Sequence, residues 1–486
     1  MRCVYPHLPT LHLQSHISYL ISHIKDLCIF QIFASGYGTE FRIEELLLLE
    51  KDLMTVYWNQ ELETMSPESL KKLQLERLQR TVAQASKSPH YSKVFAEQGI
   101  KPESIQRIED IRRLPFTSKD DLRSQFPYGL IGVDLKDVIR LHSSSGTSGQ
   151  ATVVFHSQKD IENWADLVSR CMYMTGVRRD DVFQNLTGYG LFTGGLGFHY
   201  GGERLGTLTI PSGTGNTKRQ ILLMQEFGTT VIHLIPSYAM RLMQVMAELE
   251  VDPRRDLKLR IAFLGAEPHS EEIRLRVERY FELEAFNSYG LSEMNGPGVA
   301  FECPEKWGMH IWEDAFFVEI IDPQTLELVE PGKGGELVLT TLTREAMPII
   351  RYRTSDLTRI LPGTCPCGRT HSRLDRIKGR TDDMLIIKGV NIFPVQVEQA
   401  LMEIPEVGQN YLIILEKVAE MDTMRIQVEI HPDIFKENMR FLKRLQDKIT
   451  HELRNELLVT PTVELVQANT IPRSPGKAVR VEDRRN

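Results

Sequence analysis

The sequence predicts an α/β architecture, and three observations carry that prediction. Beyond Trp58, strand-like and helix-like segments alternate over several hundred residues. Two of the strand-like segments, Val231-Ile232-His233-Leu234-Ile235 and Leu259-Arg260-Ile261-Ala262-Phe263-Leu264, are mostly apolar runs of the kind a buried strand requires. Each leads into polar residues at its carboxyl end, where ligands of open α/β sheets collect.

Composition frames the function. The 486 residues are enough for two or three domains, and 41% hydrophobic with 25% charged residues describes an ordinary globular protein. A net charge of -7 provides no global attraction for nucleic acid or for anionic lipid, so any nucleotide must be held by a local site. Six cysteines, with Cys3, Cys28 and Cys171 isolated, argue against a disulfide framework and for a reducing cytoplasm.

In chain order, residues 1–53 differ from the rest. The apolar patches between His16 and Ala34 are interrupted by His23, Lys25 and Asp26, which excludes a clean membrane span, and the order of segments excludes a signal peptide. The expectation is a poorly packed extension, or a start site assigned upstream of a true one at Met54. From Trp58 onward a helical pattern runs through Leu70, Leu73, Leu75, Leu78 and Val82. Val138-Ile139-Arg140-Leu141 then reads as a strand, and Ala151-Thr152-Val153-Val154-Phe155 as a second one.

Between these two strands lies Ser143-Ser144-Ser145-Gly146-Thr147-Ser148-Gly149, seven small residues offering five hydroxyls. Hydroxyls donate to phosphate oxygens, and glycines let backbone N–H groups approach an anion. Gln150 stands where a P-loop would carry its lysine, so that motif is not met. A flexible surface loop is the other reading of such a run, but flanking strands make it a positioned hairpin.

Two further loops follow strand ends. They are Gly265-Ala266-Glu267-Pro268 and Asn287-Ser288-Tyr289-Gly290-Leu291-Ser292-Glu293. Tyr289 offers a flat ring for a purine, Glu293 a carboxylate for Mg²⁺ on phosphates, and Asp356 an acceptor for ribose hydroxyls. Taken singly, each also fits a surface carboxylate or a core tyrosine. Near the carboxyl third, Cys365-Pro366-Cys367-Gly368 forms a C-x-C turn, with Cys303 upstream and His310 seven positions after it. Three cysteines and one histidine suit tetrahedral Zn²⁺, although the spacing is not a repeated C-x-x-C.

Taken together, these segments resemble the adenylate-forming ligases, and within them the phenylacetate–coenzyme A ligase family. The resemblance runs from about Trp58 to Arg484. It also includes Thr187-Gly188-Tyr189-Gly190-Leu191-Phe192-Thr193-Gly194-Gly195-Leu196-Gly197, Gly379-Arg380-Thr381-Asp382-Asp383-Met384 and Arg473-Ser474-Pro475-Gly476-Lys477. It implies a large domain over 54–380, of layered sheets and helices, and a small mobile α+β domain over 381–486. It implies an ATP-dependent reaction in which an aryl acid becomes an acyl-adenylate, with loss of pyrophosphate, and then a coenzyme A thioester, with loss of AMP.

Residue roles follow from the same resemblance. Ser143, Ser144, Ser145, Gly146, Thr147, Ser148 and Gly149 hold the ATP phosphates. Gly265, Ala266, Glu267, Pro268, Tyr289 and Gly290 frame adenine, Asp356 binds ribose, Glu293 binds Mg²⁺, and Arg380 meets the ribose or α-phosphate. Lys477 meets the reacting carboxylate during adenylation. Asp382 is the hinge about which Lys477 withdraws and Lys388 and Gly389 arrive for the thiol step. Some family members carry a structural zinc near Cys303, His310, Cys365 and Cys367. Tyr189, Phe192, Gly194, Gly195, Phe198 and Tyr238 form the candidate acyl pocket, either as a wall beside a flat ring or as packed core with glycines at turns. The expected partners are a carboxylic acid and coenzyme A, with a homodimer as an open assembly and neither nucleic acid nor membrane. A ligase that loads a carrier-protein thiol, and a nucleotide-binding protein without catalysis, are the competing readings.

Overall fold

Side chains of a strand point alternately to its two faces, so an apolar run in a strand must be covered twice. That requirement organises the larger part of this molecule. The computed structural model describes residues 56–143, 152–387, 390–418, 421–431, 434, 438–472 and 478–485.

Helix α1 (Pro67–Ala85) precedes a hairpin of β1 (Arg140–Ser143) and β2 (Val153–His156). Next come α2 (Gln158–Met174), β3 (Val182–Asn185), α3 (Thr193–Leu205), β4 (Leu208–Ile210), α4 (Thr217–Phe227), β5 (Val231–Leu234), α5 (Pro236–Glu248), β6 (Ile261–Gly265), α6 (Glu271–Phe281) and β7 (Glu284–Leu291). Strands β8 (Gly296–Glu302), β9 (Met309–Ile311), β10 (Phe316–Ile321), β11 (Gly335–Thr341), β12 (Tyr352–Thr358), β13 (Ile360–Leu361), β14 (Arg373–Leu374) and β15 (Gly379–Arg380) follow in succession. The chain closes with β16 (Leu385–Ile387), β17 (Val390–Ile392), α7 (Pro394–Met402), β18 (Val407–Val418), β19 (Met421–Ile430), α8 (Met439–Leu457), β20 (Thr462–Val466) and β21 (Val481–Asp483).

A nine-stranded sheet runs in the order β13-β14-β9-β8-β7-β6-β5-β3-β4. Its β7-β6-β5-β3-β4 half is parallel and the remainder antiparallel. The two faces of the parallel half are read directly from residue parity. Ile232, Leu234, Ala262, Leu264 and Ala285 pack under α4, α5 and α6, with Met224, Met240 and Val277. Their neighbours Val231, Ile261, Phe263 and Phe286 join the main core with Phe183, Phe198 and Trp164. Each valine, leucine, isoleucine, methionine or phenylalanine among them, once buried, contributes roughly 1.5–3 kcal/mol.

A second, antiparallel sheet has the order β10-β11-β12-β15. The C-terminal sheet, β20-β19-β18-β21, carries α7 and α8 over its own core of Val397, Leu401, Ile413, Ile426, Leu445 and Ile449. Ile273 of α6 is part of that same core, so the two parts share apolar contact. The architecture is thus the predicted large α/β part followed by a smaller α+β part.

The helical reading from Leu70 to Val82 falls within α1, which starts at Ser66, whose hydroxyl accepts the Ser69 N–H, with Pro67 next. The segment from Thr187 to Gly197 corrects the reading of glycines at turns. From Thr193 it is helical, and its glycines are there for close packing. A Cβ on Gly197 would stand 2.5 Å from both Trp164 and Pro297, and one on Gly201 would stand 2.5 Å from Val168. Glycine lowers helix propensity, so the sequence pattern points away from a helix that the α2 contact makes necessary.

Candidate active site

The segment after β3 contacts the β1–β2 hairpin, and β7 and the turn after it reach β12 and β2. Ser143 donates its N–H to Leu191 O at 3.0 Å, and His142 donates from Nδ1 to the same carbonyl at 3.0 Å. The base of the hydroxyl-rich loop is therefore tied to the segment that leads into α3. Arg344 completes the junction. It donates to Glu293 O at 2.6 Å and to Phe155 O at 3.2 Å, joining β2 to the loop after β7. Burial lowers the Arg344 pKa to about 10, with Asp160 and Glu293 opposing the fall. Nothing local in the sequence marks Arg344, because its partners lie 51 and 189 residues away.

Gly265 ends β6 where a Cβ would meet Ser288 O at 2.5 Å, and Ala266 adopts a φ of 66°. That turn presents Glu267, whose carboxylate accepts from Ser237 N at 3.0 Å and from Ser237 Oγ at 2.9 Å. The same carboxylate accepts the Ala478 N–H at 2.8 Å. Ala478 directly follows Lys477 in the chain.

Tyr289 of β7 donates its hydroxyl to Asp356 Oδ2 at 2.5 Å. Asp356 sits on β12 opposite Arg380 on β15, and their side chains pair at 2.8 Å. Arg380 also makes a bidentate pair with Asp382, at 2.8 and 2.9 Å. Burial raises the Asp356 pKa, against the pull of Arg380 and Tyr289. Burial also works against the charge on Arg380, but Asp382, Asp356 and Asp383 together hold it well above its usual range. The structure thus brings Tyr289, Asp356, Arg380 and Asp382 into one connected network.

Glu293 is buried after β7 and interacts with the buried Tyr352 hydroxyl. A single inward carboxylate fits Mg²⁺, which keeps several waters and takes its remaining oxygens from phosphates. Ser292, beside it, lies 3.2 Å from Thr193 Oγ1 at the start of α3. Of the candidate pocket residues, Tyr189 is half-buried and its hydroxyl accepts from Asn185 at 3.2 Å, while the Tyr238 hydroxyl donates to Thr217 at 3.3 Å. Phe192 precedes α3 as its N-cap, and Gly194 and Gly195 lie in its first turn. Phe198 is in the core instead, with its ring 3.7 Å from that of His233 and 5.3 Å from that of Phe263. Ser144, Ser145, Gly146, Thr147, Ser148, Gly149, Lys388, Gly389 and Lys477 lie outside the described residues.

At the far end of the nine-stranded sheet, Cys303, His310, Cys365 and Cys367 converge, their ligand atoms all within 4.8 Å of one another. Cys303 Sγ lies 3.6 Å from Cys365 Sγ, and Cys367 Sγ lies 3.2 Å from His310 Nε2. Tetrahedral zinc with Zn–S bonds of about 2.3 Å places sulfurs about 3.8 Å apart, so the donor set fits the ion. His310 donates from Nδ1 to His371 O at 3.0 Å, which leaves Nε2 facing the cysteines. A hydrogen bond from Cys303, and then the nearby His310, hold the Cys367 thiol well below its usual range. His371 is not part of this set: it is buried and bonds to Leu62 O at 2.9 Å. Among the described residues, no helix is long and apolar enough to cross a membrane.

Similarity to known proteins agrees with this geometry. The family model described as AMP-binding enzyme matches residues 62–342, and that of the AMP-binding enzyme C-terminal domain matches residues 389–485. The phenylacetate-coenzyme A ligase of Aromatoleum evansii is 43% identical over 87% of this chain and 96% of its own length. A 2-hydroxyisobutyryl-CoA ligase in its postadenylation state, complexed with R3-HIB-AMP, superposes with a TM-score of 0.84 at 28% identity, covering 88% of this chain and 93% of that one. The same ligase in its thioesterification state, with CoA bound, superposes with a TM-score of 0.66 at 29% identity over 89% and 93%.

Proposed function

The chain belongs to the phenylacetate–coenzyme A ligase family of AMP-binding enzymes, and from that premise we propose how its residues divide the work of the reaction. The protein joins an aryl carboxylic acid to coenzyme A with consumption of ATP. A carboxylate oxygen attacks the α-phosphorus of ATP, and the bond to the bridging oxygen of pyrophosphate breaks. The thiol sulfur of coenzyme A then bonds to the acyl carbon, AMP leaves with the former carboxylate oxygen, and the thiol proton passes to solvent.

In this reading, Ser143 and the hydroxyls and N–H groups of residues 144–149 take the phosphates, where charge builds as pyrophosphate departs. Asp356, held by Tyr289 and Arg380, accepts from the ribose hydroxyls, and Arg380, beside it, meets the ribose or the α-phosphate. The loop 265–268 and Tyr289 frame the base. Glu293 is the residue that would hold Mg²⁺, which when bound neutralises phosphate charge. Cys303, His310, Cys365 and Cys367 would hold a structural Zn²⁺ that pins the turn between β13 and β14.

One observation carries the assignment of the first half-reaction to Lys477. Its neighbour Ala478 bonds to Glu267, within the loop assigned to adenine. The better match to the postadenylation state than to the thioesterification state supports the same reading. Asp382, bound to Arg380, is then the hinge between this arrangement and the one that accepts the thiol, with Lys388 and Gly389 entering for the second step.

The test is acid-dependent AMP release across aryl and aliphatic carboxylates, with and without coenzyme A. Release that requires a phenylacetate-like acid and rises with coenzyme A is the expected result. Release coupled only to a carrier-protein thiol, or only to aliphatic acids, overturns the proposed substrate.

A further inference from the structure

The face between the loop after β6 and the small C-terminal part carries two reciprocal carboxylate contacts. Glu267, in the large part, accepts from Ala478 N at 2.8 Å. Glu398, on α7 of the small part, accepts from Ser270 N at 3.0 Å. Glu267 and Ser270 are three positions apart, so both contacts grip the same loop. Ser270 is the N-cap of α6, and its side chain is already occupied with the Ile273 N–H at 3.4 Å. Its backbone N–H is therefore left to a partner from elsewhere, and the carboxylate that takes it is 6% exposed. A helix N-terminus favours such a partner.

Other groups hold Glu398 in place. Tyr411 lies at 3.5 Å, and the Arg480 guanidinium stands 4.5 Å over the Tyr411 ring. Ile273 packs into the small part's core, and Arg276 reaches Met402 O at 3.4 Å. The apolar contact of Ile273 adds adhesion but little register, because it is non-directional. The two carboxylates supply the register.

We propose that Glu398 is a positioning residue for adenylation: by capping Ser270 N it seats the small domain so that Ala478, the residue that follows Lys477 in the chain, meets the Glu267 carboxylate of the 265–268 loop. This rests on the reading of the present arrangement as the one used for adenylate formation. Glu398 touches neither ATP nor acid. It acts on one half-reaction because the contact with Ser270 exists only while the two parts are docked in this way.

The experiment uses the full chain. Wild type, Glu398→Ala and Glu398→Gln are compared for phenylacetate-dependent pyrophosphate release and for thioester formation from supplied phenylacetyl-adenylate, with circular dichroism melting as a check on folding. Glu398→Ala is expected to lower kcat for pyrophosphate release about tenfold or more, the loss expected when a buried backbone donor is left without its acceptor, with KM for ATP unchanged. Thioester formation is expected to stay within about twofold, since that step does not use the docked contact. Glu398→Gln keeps an acceptor oxygen and is expected to restore pyrophosphate release. Equal loss in both half-reactions, no loss in either, or failure of Gln to restore overturns the proposal while the family reaction stands. If wild type forms no adenylate from any aryl acid, the functional reading falls and the positioning role falls with it.

Discussion

Tyr289 and Asp356, 67 positions apart, meet through a hydrogen bond of 2.5 Å that links the central parallel sheet to the second sheet. The contact holds a buried carboxylate that would otherwise rely on Arg380 alone for a partner across the site. Neither residue can keep its place if the two sheets slip, so the pair reports their register.

Tyr289→Phe removes the donor and leaves Asp356 short of one partner in a buried setting. The expected cost is about 1–3 kcal/mol of stability or of nucleotide binding. KM for ATP is expected to rise with a smaller change in KM for the acid, measured by steady-state AMP release. An unchanged KM for ATP would separate this pair from the nucleotide.

Lys477→Ala is expected to lower pyrophosphate release strongly, because no other mobile cation is assigned to the reacting carboxylate. Thioester formation from a supplied acyl-adenylate is expected to persist. Parallel loss or parallel survival of the two half-reactions would remove Lys477 from its role.

The cluster of Cys303, His310, Cys365 and Cys367 is expected to bring about one equivalent of zinc through purification. Cys367→Ser is expected to lower both the zinc content and the melting temperature, by elemental analysis and calorimetry. A protein that is folded, zinc-free and equally stable would exclude a structural metal.

The pH dependence of docking follows from Glu398. Burial first, and then repulsion from Glu267, push its pKa up to about 7 from 4.5, while Arg480, the Ser270 N–H and Tyr411 pull the other way. The docked state thus binds a proton that an exposed Glu398 would lose. Its contribution is fully present below pH 4.5 and is lost as pH rises through about 7. The ratio of pyrophosphate release to thioester formation is expected to fall in wild type between about pH 6 and 8, and to stay flatter in Glu398→Gln. Identical profiles for the two proteins would exclude this group.

Gly197→Ala tests the packing of α3. The added methyl would stand 2.5 Å from Trp164 and Pro297, so a loss of about 1–3 kcal/mol is expected from overpacking. A melting temperature equal to wild type would show that α2 and α3 yield at that contact.

Legibility differed from element to element. Strands β5 and β6 were readable because they are covered on both faces, and unbroken apolar runs have few other uses. The helix α3 was not, because its glycines answer to Trp164 and Val168 on a neighbouring helix and lower the local signal. Tyr289, Asp356, Arg380 and Asp382 were legible through the joint order of their motifs along the chain, since taken singly a tyrosine or a carboxylate has a plain structural use as well. Arg344 and Glu398 carried none: their partners are backbone groups far away in the chain, and any residue type supplies a carbonyl or an N–H.

The sequence by itself determined the α/β class, the family and the residue types that the chemistry requires, because these are properties of local pattern and of ordered motifs. Tertiary structure alone decided which carboxylates meet which donors: Asp356 with Tyr289, Glu267 with Ala478, Glu398 with Ser270. The physical reason is that a hydrogen bond has a reach of about 3 Å in space and no preferred separation along the chain. Only the folding of the parallel strands, and the seating of the small part on α6, brings those atoms within that reach.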